Sequence, residues 1–283
     1  TIRSAITTSV NIVAVECLNE ITPQAGFDFA QRFGISTLCS HLETDYGIFS
    51  DINESLVLGG LTDGVYNVEL TAAYAAIANK GNYNEPKFFT KIEDRDGNVL
   101  IDNTPSPSPV IKESTAYLLT NAMQDVVNAP DGTANSINLN GMPVAGKTGT
   151  TSDYRDIWFV AYTPYYTCGI WGGYDNNSPL PDISGDIYHS YSKTLWQSIM
   201  SRIHENLEIR QFEAPSDIVT ASVCKKSGLL AIPGICDHDP RDTVLYVTYL
   251  RQYLYRDRTC RIFHLSFYHE GLYVSSCRKF YGY

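Results

Sequence analysis

The chain has 283 residues, of which 43% are hydrophobic and 18% are charged, a composition typical of a globular protein with a full core. Its formal net charge of −10 argues against a nucleic-acid-binding protein, which would carry a basic surface. No apolar run of about 18 residues occurs, so we expect this segment neither to span nor to contact a membrane.

The first part of the chain is predicted to be helical. Ser9 is predicted to be the N-cap of a helix over residues 9–20, because serine is a favoured cap and apolar residues follow at helical spacing. Residues 26–33 predict a second, short helix. Asn67 is predicted to be the N-cap of an alanine-rich helix, with Gly81 after its end.

The middle of the chain predicts a hairpin, a connector and another helix. The hairpin is expected over residues 86–102, with its turn at Asp96-Gly97. The proline-rich residues 105–109 are expected to connect elements without regular structure of their own. Residues 112–127 then return to a helical period.

A β pattern follows. Three strands are predicted, over residues 144–152, 157–163 and 166–174, and the second is apolar on both faces, which indicates cover on both sides. An amphipathic helix over residues 193–204 closes the region. Helices followed by antiparallel strands and a closing helix indicate an α+β architecture.

The most informative motif is Lys147-Thr148-Gly149-Thr150. A strand of this composition places an ammonium, two hydroxyls and a backbone position without a Cβ along one groove. The lysine supplies positive potential, the threonines suit a carboxylate, and Gly149 allows a peptide to approach closely. The backbone N–H of Thr150 is a candidate oxyanion donor. Alone, such a triplet is more often a solvated turn.

A second motif, Ser9-Val10-Asn11, lies 138 positions before Lys147. Serine and asparagine are common helix caps, so the motif alone indicates nothing more. Together the two motifs match the second and third of the set Ser-x-x-Lys, Ser-Asp-Asn and Lys-Thr-Gly, which marks β-lactamases and penicillin-binding proteins. The middle residue here is Val10 instead of aspartate.

With these motifs, the chain resembles the transpeptidase domain of class A penicillin-binding proteins. The resemblance covers about residues 5–240, and the similar segments are 58–78, 142–151, 153–156, 158–160, 162–164, 171–175, 223–224, 227–228 and 236. It implies a penicillin-binding/β-lactamase-like transpeptidase fold, in which an antiparallel sheet of five strands is flanked by helices beside a helical subdomain.

The resemblance also implies a chemistry. An active serine attacks the D-Ala-D-Ala end of a peptidoglycan stem peptide, releases D-Ala, and passes the acyl group to an amine of a neighbouring stem. Ser9 is then expected to take part in proton transfer, Asn11 to orient the acyl side chain, and Lys147 to support Ser9. Thr148, Gly149 and Thr150 are expected to bind the substrate. The implied partners are stem peptides and β-lactams, with no metal or cofactor, at the extracytoplasmic face of a bacterial membrane to which the parent protein is anchored.

The chain departs from the family pattern at its start. A Ser-x-x-Lys is expected some tens of residues before Ser9, but only eight residues precede it, and the chain opens on Thr1. We therefore expect an N-terminally truncated part that is inactive alone. Ser-x-x-Lys occurs only later, on the wrong side of the motif order, and we interpret these matches as chance: Ser190/Lys193, Ser222/Lys225 and Ser276/Lys279.

The predicted organisation is a partial transpeptidase domain over residues 1–205, an extension over 206–240 and a tail over 241–283. The tail carries seven basic against three acidic residues and loses the resemblance, so we expect it not to pack into the main core, although two short strands are an alternative. A frame error and a lineage-specific extension both remain open as its origin.

The chain has seven cysteines and no Cys-x-x-Cys pair. Cys224 and Cys236 are the favoured disulfide if the domain lies outside the cytoplasm. A zinc site, which would use Cys236, His238, Cys260 and His264, is disfavoured because their spacing matches no zinc pattern.

Two other functions stay open. One is a non-catalytic module that binds stem peptide or β-lactam. The other is a D,D-carboxypeptidase or β-lactamase relative, with water as acceptor, which the segments after residue 205 disfavour.

Overall fold

The computed structural model describes residues 1–180, 187–224, 229–233, 236–237, 244–251, 263–269 and 272–278. The chain divides into two compact units, Thr1–Glu213 and Ala214–Tyr283. The three-part division predicted from sequence stays a prediction. Within the described part of the chain, no helix is both long enough and apolar enough to cross a bilayer.

Three helices open the first unit: α1 (Ile2–Thr8), α2 (Asn11–Ile21) and α3 (Pro23–Arg32). The prediction that Ser9 caps a helix N-terminus is wrong. Ser9 instead ends α1 in the left-handed conformation, with φ 58° and ψ 51°, and Val10 is the N-cap of α2. The preference of serine for helix N-caps did not decide the conformation here, because the residues before Ser9 also form a helix. Ser9 therefore lies in the turn between α1 and α2.

Short hairpins and bridges connect these helices to the next ones. The strands are β1 (Leu42–Thr44), β2 (Gly47–Phe49), β3 (Asn82–Tyr83), β4 (Lys91–Glu93), β5 (Val99–Asp102) and β6 (Ser108–Pro109). The predicted hairpin is formed by β4 and β5. The expectation of a wholly irregular proline-rich connector is wrong, because β6 pairs with β3. Proline is compatible with such an edge position, where its missing N–H is not needed.

Two longer helices follow the predicted positions closely. They are α4 (Asn67–Ala78) and α5 (Glu113–Asn128). Asn67 is the first residue of α4 and not its N-cap, which is Tyr66. The Asn67 amide instead donates to the carbonyl oxygen of Gly169, 3.3 Å away.

A buried carboxylate organises the loops of the helical region. Asp51 is 1% exposed, and it accepts hydrogen bonds from the backbone N–H of Cys39 and from both the N–H and the hydroxyl of Thr62, at 2.7–2.8 Å. Burial by itself raises the pKa of Asp51, but these hydrogen bonds outweigh it, and the pKa lies below its ordinary value of 3.8. The carboxylate therefore ties two loops together while it is ionised.

Three antiparallel strands form the sheet of this unit in the order β7 (Ala145–Thr150), β8 (Asp156–Tyr162) and β9 (Thr167–Gly173). All three lie where the alternation predicted strands. In β8, every residue from Phe159 to Tyr162 is buried, which confirms the predicted cover on both faces. The resemblance implied five strands, and the described residues of this unit place three in the sheet.

Helix α6 (Ile187–Ile203) covers one face of the sheet. Trp196 is fully buried there, packs edge-on against Phe159 with ring centroids 5.3 Å apart, and donates to the carbonyl oxygen of Cys168 at 3.0 Å. An aromatic ring this well buried with its N–H satisfied fixes where α6 lies on the sheet. The result is an α+β fold.

The described residues of the second unit form two strand pairs. Its strands are β10 (Ile218–Cys224), β11 (Val244–Leu250), β12 (Phe263–His269) and β13 (Leu272–Arg278), paired β10 with β11 and β12 with β13. The alternative of strands in the tail is therefore confirmed. Whether the tail packs on the main core stays a prediction.

The cysteine predictions concern this second unit. The side chains of Cys224 and Cys236 are both buried in one small cluster, and the disulfide between them stays a prediction. His238 and Cys260 of the zinc interpretation lie outside the described residues, as do residues 227–228 of the similar segments.

Candidate active site

Helix α1 is held against α5, and this fixes where Ser9 lies. The Arg3 guanidinium donates to the Asp125 carboxylate at 2.5 Å and also to the Asn121 side chain on the same helix. Thr7 is 5% exposed, and its carbonyl oxygen accepts from the N–H of Thr133. With α1 held at both points, Ser9 at its end is presented to the edge of β7.

The Lys147 ammonium lies at the centre of the site. Its Nζ donates to Ser9 Oγ at 2.8 Å and to the carbonyl oxygen of Thr148 at 3.0 Å. Burial lowers the pKa of Lys147 from 10.5 to about 8, because the charged form loses its hydration. A lysine with such a pKa is mostly charged at neutral pH, yet is able to exchange a proton there.

The remaining motif residues divide between the two faces of β7, because side chains alternate along a strand. Thr148 pairs in register with Phe159 and Gly149 pairs with Trp158. A Cβ on Gly149 would lie 3.2 Å from the Trp158 Cβ, so a side chain there would crowd the lysine's face of the strand. Thr150 is exposed at the end of β7. Since β7 is one of the two edge strands of the described sheet, a ligand along its edge can reach side chains of both faces.

Asn11 lies at the first position of α2, two residues after Ser9, and is exposed. Within the described residues, its side-chain amide makes no hydrogen bond. The predicted role of the Asn11 amide in contacting a ligand beside the Ser9–Lys147 pair stays a prediction.

Two residues that no motif predicted lie next to the site. The Thr133 hydroxyl is 2.8 Å from the Thr148 hydroxyl, and Lys193 Nζ donates to the Thr133 carbonyl oxygen at 3.1 Å. Lys193 was noticed in the sequence only as part of a chance Ser-x-x-Lys match. No local signal marks Thr133, because its contacts join segments far apart in the chain.

The arrangement suits binding of an anion or carbonyl and transfer of a proton. A protonated Lys147 donates to Ser9, so the Ser9 hydroxyl proton is left to donate elsewhere. The Thr148 and Thr150 hydroxyls, together with the lysine, suit a carboxylate. We assign no described residue as a nucleophile. In two of the three Ser-x-x-Lys matches, the lysines Lys225 and Lys279 lie outside the described residues. In the third match, Lys193 donates to the carbonyl oxygen of Thr133.

A family model of the penicillin binding protein transpeptidase domain matches residues 1–169, which is more than half of the chain and includes both motifs. The chain belongs to this family. Penicillin-binding protein 1A of Clostridium botulinum strain Langeland is 34% identical over 245 residues, 87% of this chain and 28% of that protein. Penicillin-binding protein 1A/1B of Bacillus subtilis is 30% identical over 249 residues, 82% of this chain and 26% of its own length.

Solved structures show the same penicillin-binding protein fold. The PonA1 protein of Mycobacterium tuberculosis in complex with penicillin V matches with a TM-score of 0.65 and 26% identity, covering 76% of this chain and 59% of that one. Penicillin-binding protein 1A of Haemophilus influenzae matches in fold with a TM-score of 0.64 at 20% identity, covering 88% and 39%. The predicted transpeptidase fold is therefore confirmed. This chain spans little more than a quarter of the length of the curated relatives.

Proposed function

We propose that this penicillin-binding protein chain supplies the substrate-binding part of a D,D-transpeptidase, which cross-links peptidoglycan by serine acyl transfer. The observation that carries the proposal is the 2.8 Å contact between Lys147 Nζ and Ser9 Oγ, within a chain of the transpeptidase family. Its ligands are the D-Ala-D-Ala ends of stem peptides and the β-lactams that mimic them. The parent protein acts at the extracytoplasmic face of the bacterial membrane.

Each site residue has one role in this proposal. Lys147 holds Ser9 and keeps the groove positive, and Ser9 passes a proton between the attacking group and the leaving amine. The Asn11 amide donates to the acyl side chain. Thr148 and Thr150 bind the terminal carboxylate, and Gly149 leaves room for the peptide backbone beside β7. We assign the role of the acylated serine to none of the described residues.

The experiment is a nuclear magnetic resonance titration of the ¹⁵N-labelled chain with diacetyl-L-Lys-D-Ala-D-Ala. We expect saturable shifts of the backbone amides of Ser9, Gly149 and Thr150, because the peptide lies along the β7 edge. The matched control is the peptide with an L-Ala-L-Ala end, which has the same charge and composition.

A shift pattern that is the same for the D- and L-peptides would contradict the proposal, because a charged groove alone does not distinguish them. Ser9→Ala tests the contact itself. We expect this variant to keep its fold, since Ser9 is exposed. It should lose several-fold in affinity, because a ligand bonded to Ser9 loses one hydrogen bond of about 1 kcal/mol. Unchanged affinity would remove Ser9 from the ligand contacts.

A further inference from the structure

Thr133 is the meeting point of three elements. It lies in the connection between α5 and β7, where its N–H donates to the carbonyl oxygen of Thr7 on α1. Its own carbonyl oxygen accepts from Lys193 on α6, and its hydroxyl contacts the Thr148 hydroxyl on β7. One residue is therefore held on both sides while its side chain faces a motif threonine.

The backbone at this point has little freedom. Gly132, directly before Thr133, is buried, and a Cβ there would lie 2.4 Å from the carbonyl oxygen of Val126. The N–H of Ala134, directly after it, donates to the same carbonyl oxygen at 2.9 Å. A close approach of this kind requires glycine, and it fixes the position from which the Thr133 hydroxyl projects.

A carboxylate bound to Thr148 would fix which of the two hydroxyls donates in the hydrogen bond between Thr133 and Thr148. A hydroxyl has one proton to donate and two lone pairs that accept. If Thr148 donates to a carboxylate, its bond to Thr133 must be one in which Thr133 donates. Thr133 then occupies an acceptor site of Thr148 and leaves the Thr148 proton for the ligand.

We propose that Thr133, held by Lys193, is a positioning residue that orients the Thr148 hydroxyl toward the terminal carboxylate of the ligand. The inference rests on the proposed function, because it takes Thr148 as a carboxylate-binding group. The Lys193 ammonium, which donates to the Thr133 carbonyl oxygen, also adds positive charge next to the pair of Thr133 and Thr148. Thr133 itself does not touch the ligand.

The test compares two ligands and three variants by the same titration. The ligands are diacetyl-L-Lys-D-Ala-D-Ala and its C-terminal amide, which lacks the carboxylate. The variants are Thr133→Val, which removes the hydroxyl at nearly constant shape, Thr133→Ser, which keeps it, and Lys193→Met, which removes the ammonium. Amide spectra and melting temperatures establish that each variant is folded.

We expect Thr133→Val to weaken binding of the free acid about five- to tenfold, because the Thr148 hydroxyl loses its neutral hydrogen bond to Thr133 and is no longer oriented toward the carboxylate. The affinity of Thr133→Val for the amide should change less than about twofold. Thr133→Ser should bind both ligands as the parent chain does. Lys193→Met should lower the affinity for the free acid about threefold or more. If the role of Thr133 were purely structural, Thr133→Val would lower the affinity for both ligands by the same factor, and that result overturns the inference.

The two proposals fail in different ways. If the parent chain does not prefer the acid over the amide, the carboxylate subsite of the proposed function is wrong, and the inference falls with it. If the parent chain prefers the acid, and Thr133→Val keeps that preference in full, only the role of Thr133 is wrong.

Discussion

Lys147 Nζ donates to Ser9 Oγ at 2.8 Å, although the two residues are separated by 138 positions in the sequence. The contact depends on the left-handed turn at Ser9, which ends α1 at the edge of β7. A non-glycine residue with positive φ is uncommon and costs about 1–3 kcal/mol, so the surrounding contacts must maintain it. The ion pair of Arg3 with Asp125 and the bond of Thr133 to Thr7 are such contacts.

The first prediction concerns the protonation of Lys147. Since burial lowers its pKa to about 8, its Nζ should titrate between about pH 7 and 9, well below exposed lysines. The measurement is a pH titration of the ¹³C-labelled lysine side chains, in which the signal lost in Lys147→Met assigns the resonance. A midpoint near 10.5 would contradict the burial of this ammonium.

The second prediction is the effect of Lys147 on stability. Its folded pKa of about 8 lies below the ordinary 10.5, so between these values the unfolded chain binds more protons than the folded one. The free energy of unfolding should therefore rise with pH across this window. Urea unfolding of the parent chain and of Lys147→Met should show a smaller rise for the variant. An equal rise of the unfolding free energy with pH in the parent chain and in Lys147→Met would contradict the prediction.

The third prediction concerns Asp51. Replacement by asparagine places an N–H₂ group against the donors of Cys39 or Thr62, and should cost about 1–3 kcal/mol at pH 7. Because the folded pKa of Asp51 is lowered, its contribution is present above its ordinary pKa of 3.8 and is lost as the pH falls through the folded value. The difference between Asp51→Asn and the parent chain should therefore shrink in acid.

The measurement for Asp51 is urea unfolding at several pH values. The matched control is Asp63→Asn, since Asp63 is an exposed carboxylate in the same region of the chain. The control should change stability by less than about 0.5 kcal/mol. A difference for Asp51→Asn that stays constant down to pH 2 would show that ionisation of the carboxylate is not what matters.

The fourth prediction is that the 283-residue polypeptide forms no covalent adduct with a fluorescent penicillin. Acylation needs a nucleophile with an adjacent base, and the eight residues before Ser9 contain no Ser-x-x-Lys pair. A denaturing gel measures this, with a full-length penicillin-binding protein as the positive control. A band that disappears on replacement of Ser9, Ser190, Ser222 or Ser276 would identify a nucleophile and contradict the prediction.

The fifth prediction concerns residues 241–283. Their strand β11 pairs with β10, which belongs to the same unit, Ala214–Tyr283. Removing residues 241–283 should therefore leave the melting of the unit Thr1–Glu213 nearly unchanged. A fall in its melting temperature of roughly 4 °C or more, about 1–2 kcal/mol for a domain of this size, would show that the tail is part of the main fold.

The sequence determined most of the secondary structure and the identity of the motif residues. Strands β7 to β9 lie within about two residues of their predicted bounds, because the alternation of apolar residues is a local signal that tertiary packing reinforces. Helix α5 was predictable for the same reason, through its 3.6-residue period. Lys147, Thr148 and Gly149 were predicted as site residues from the two motifs together with the family resemblance, because the triplet alone does not distinguish a site from a solvated turn.

Only the tertiary structure decided how these residues act together. Serine's local preference predicted an N-cap at Ser9, but the helix on its other side makes it a left-handed C-cap instead. Thr133 and Lys193 carry no local signal, since Thr133 meets Thr148 at a separation of 15 residues and Lys193 at 60. The lowered pKa of Lys147 has the same origin, because the hydration that an ammonium loses depends on which distant segments pack around it.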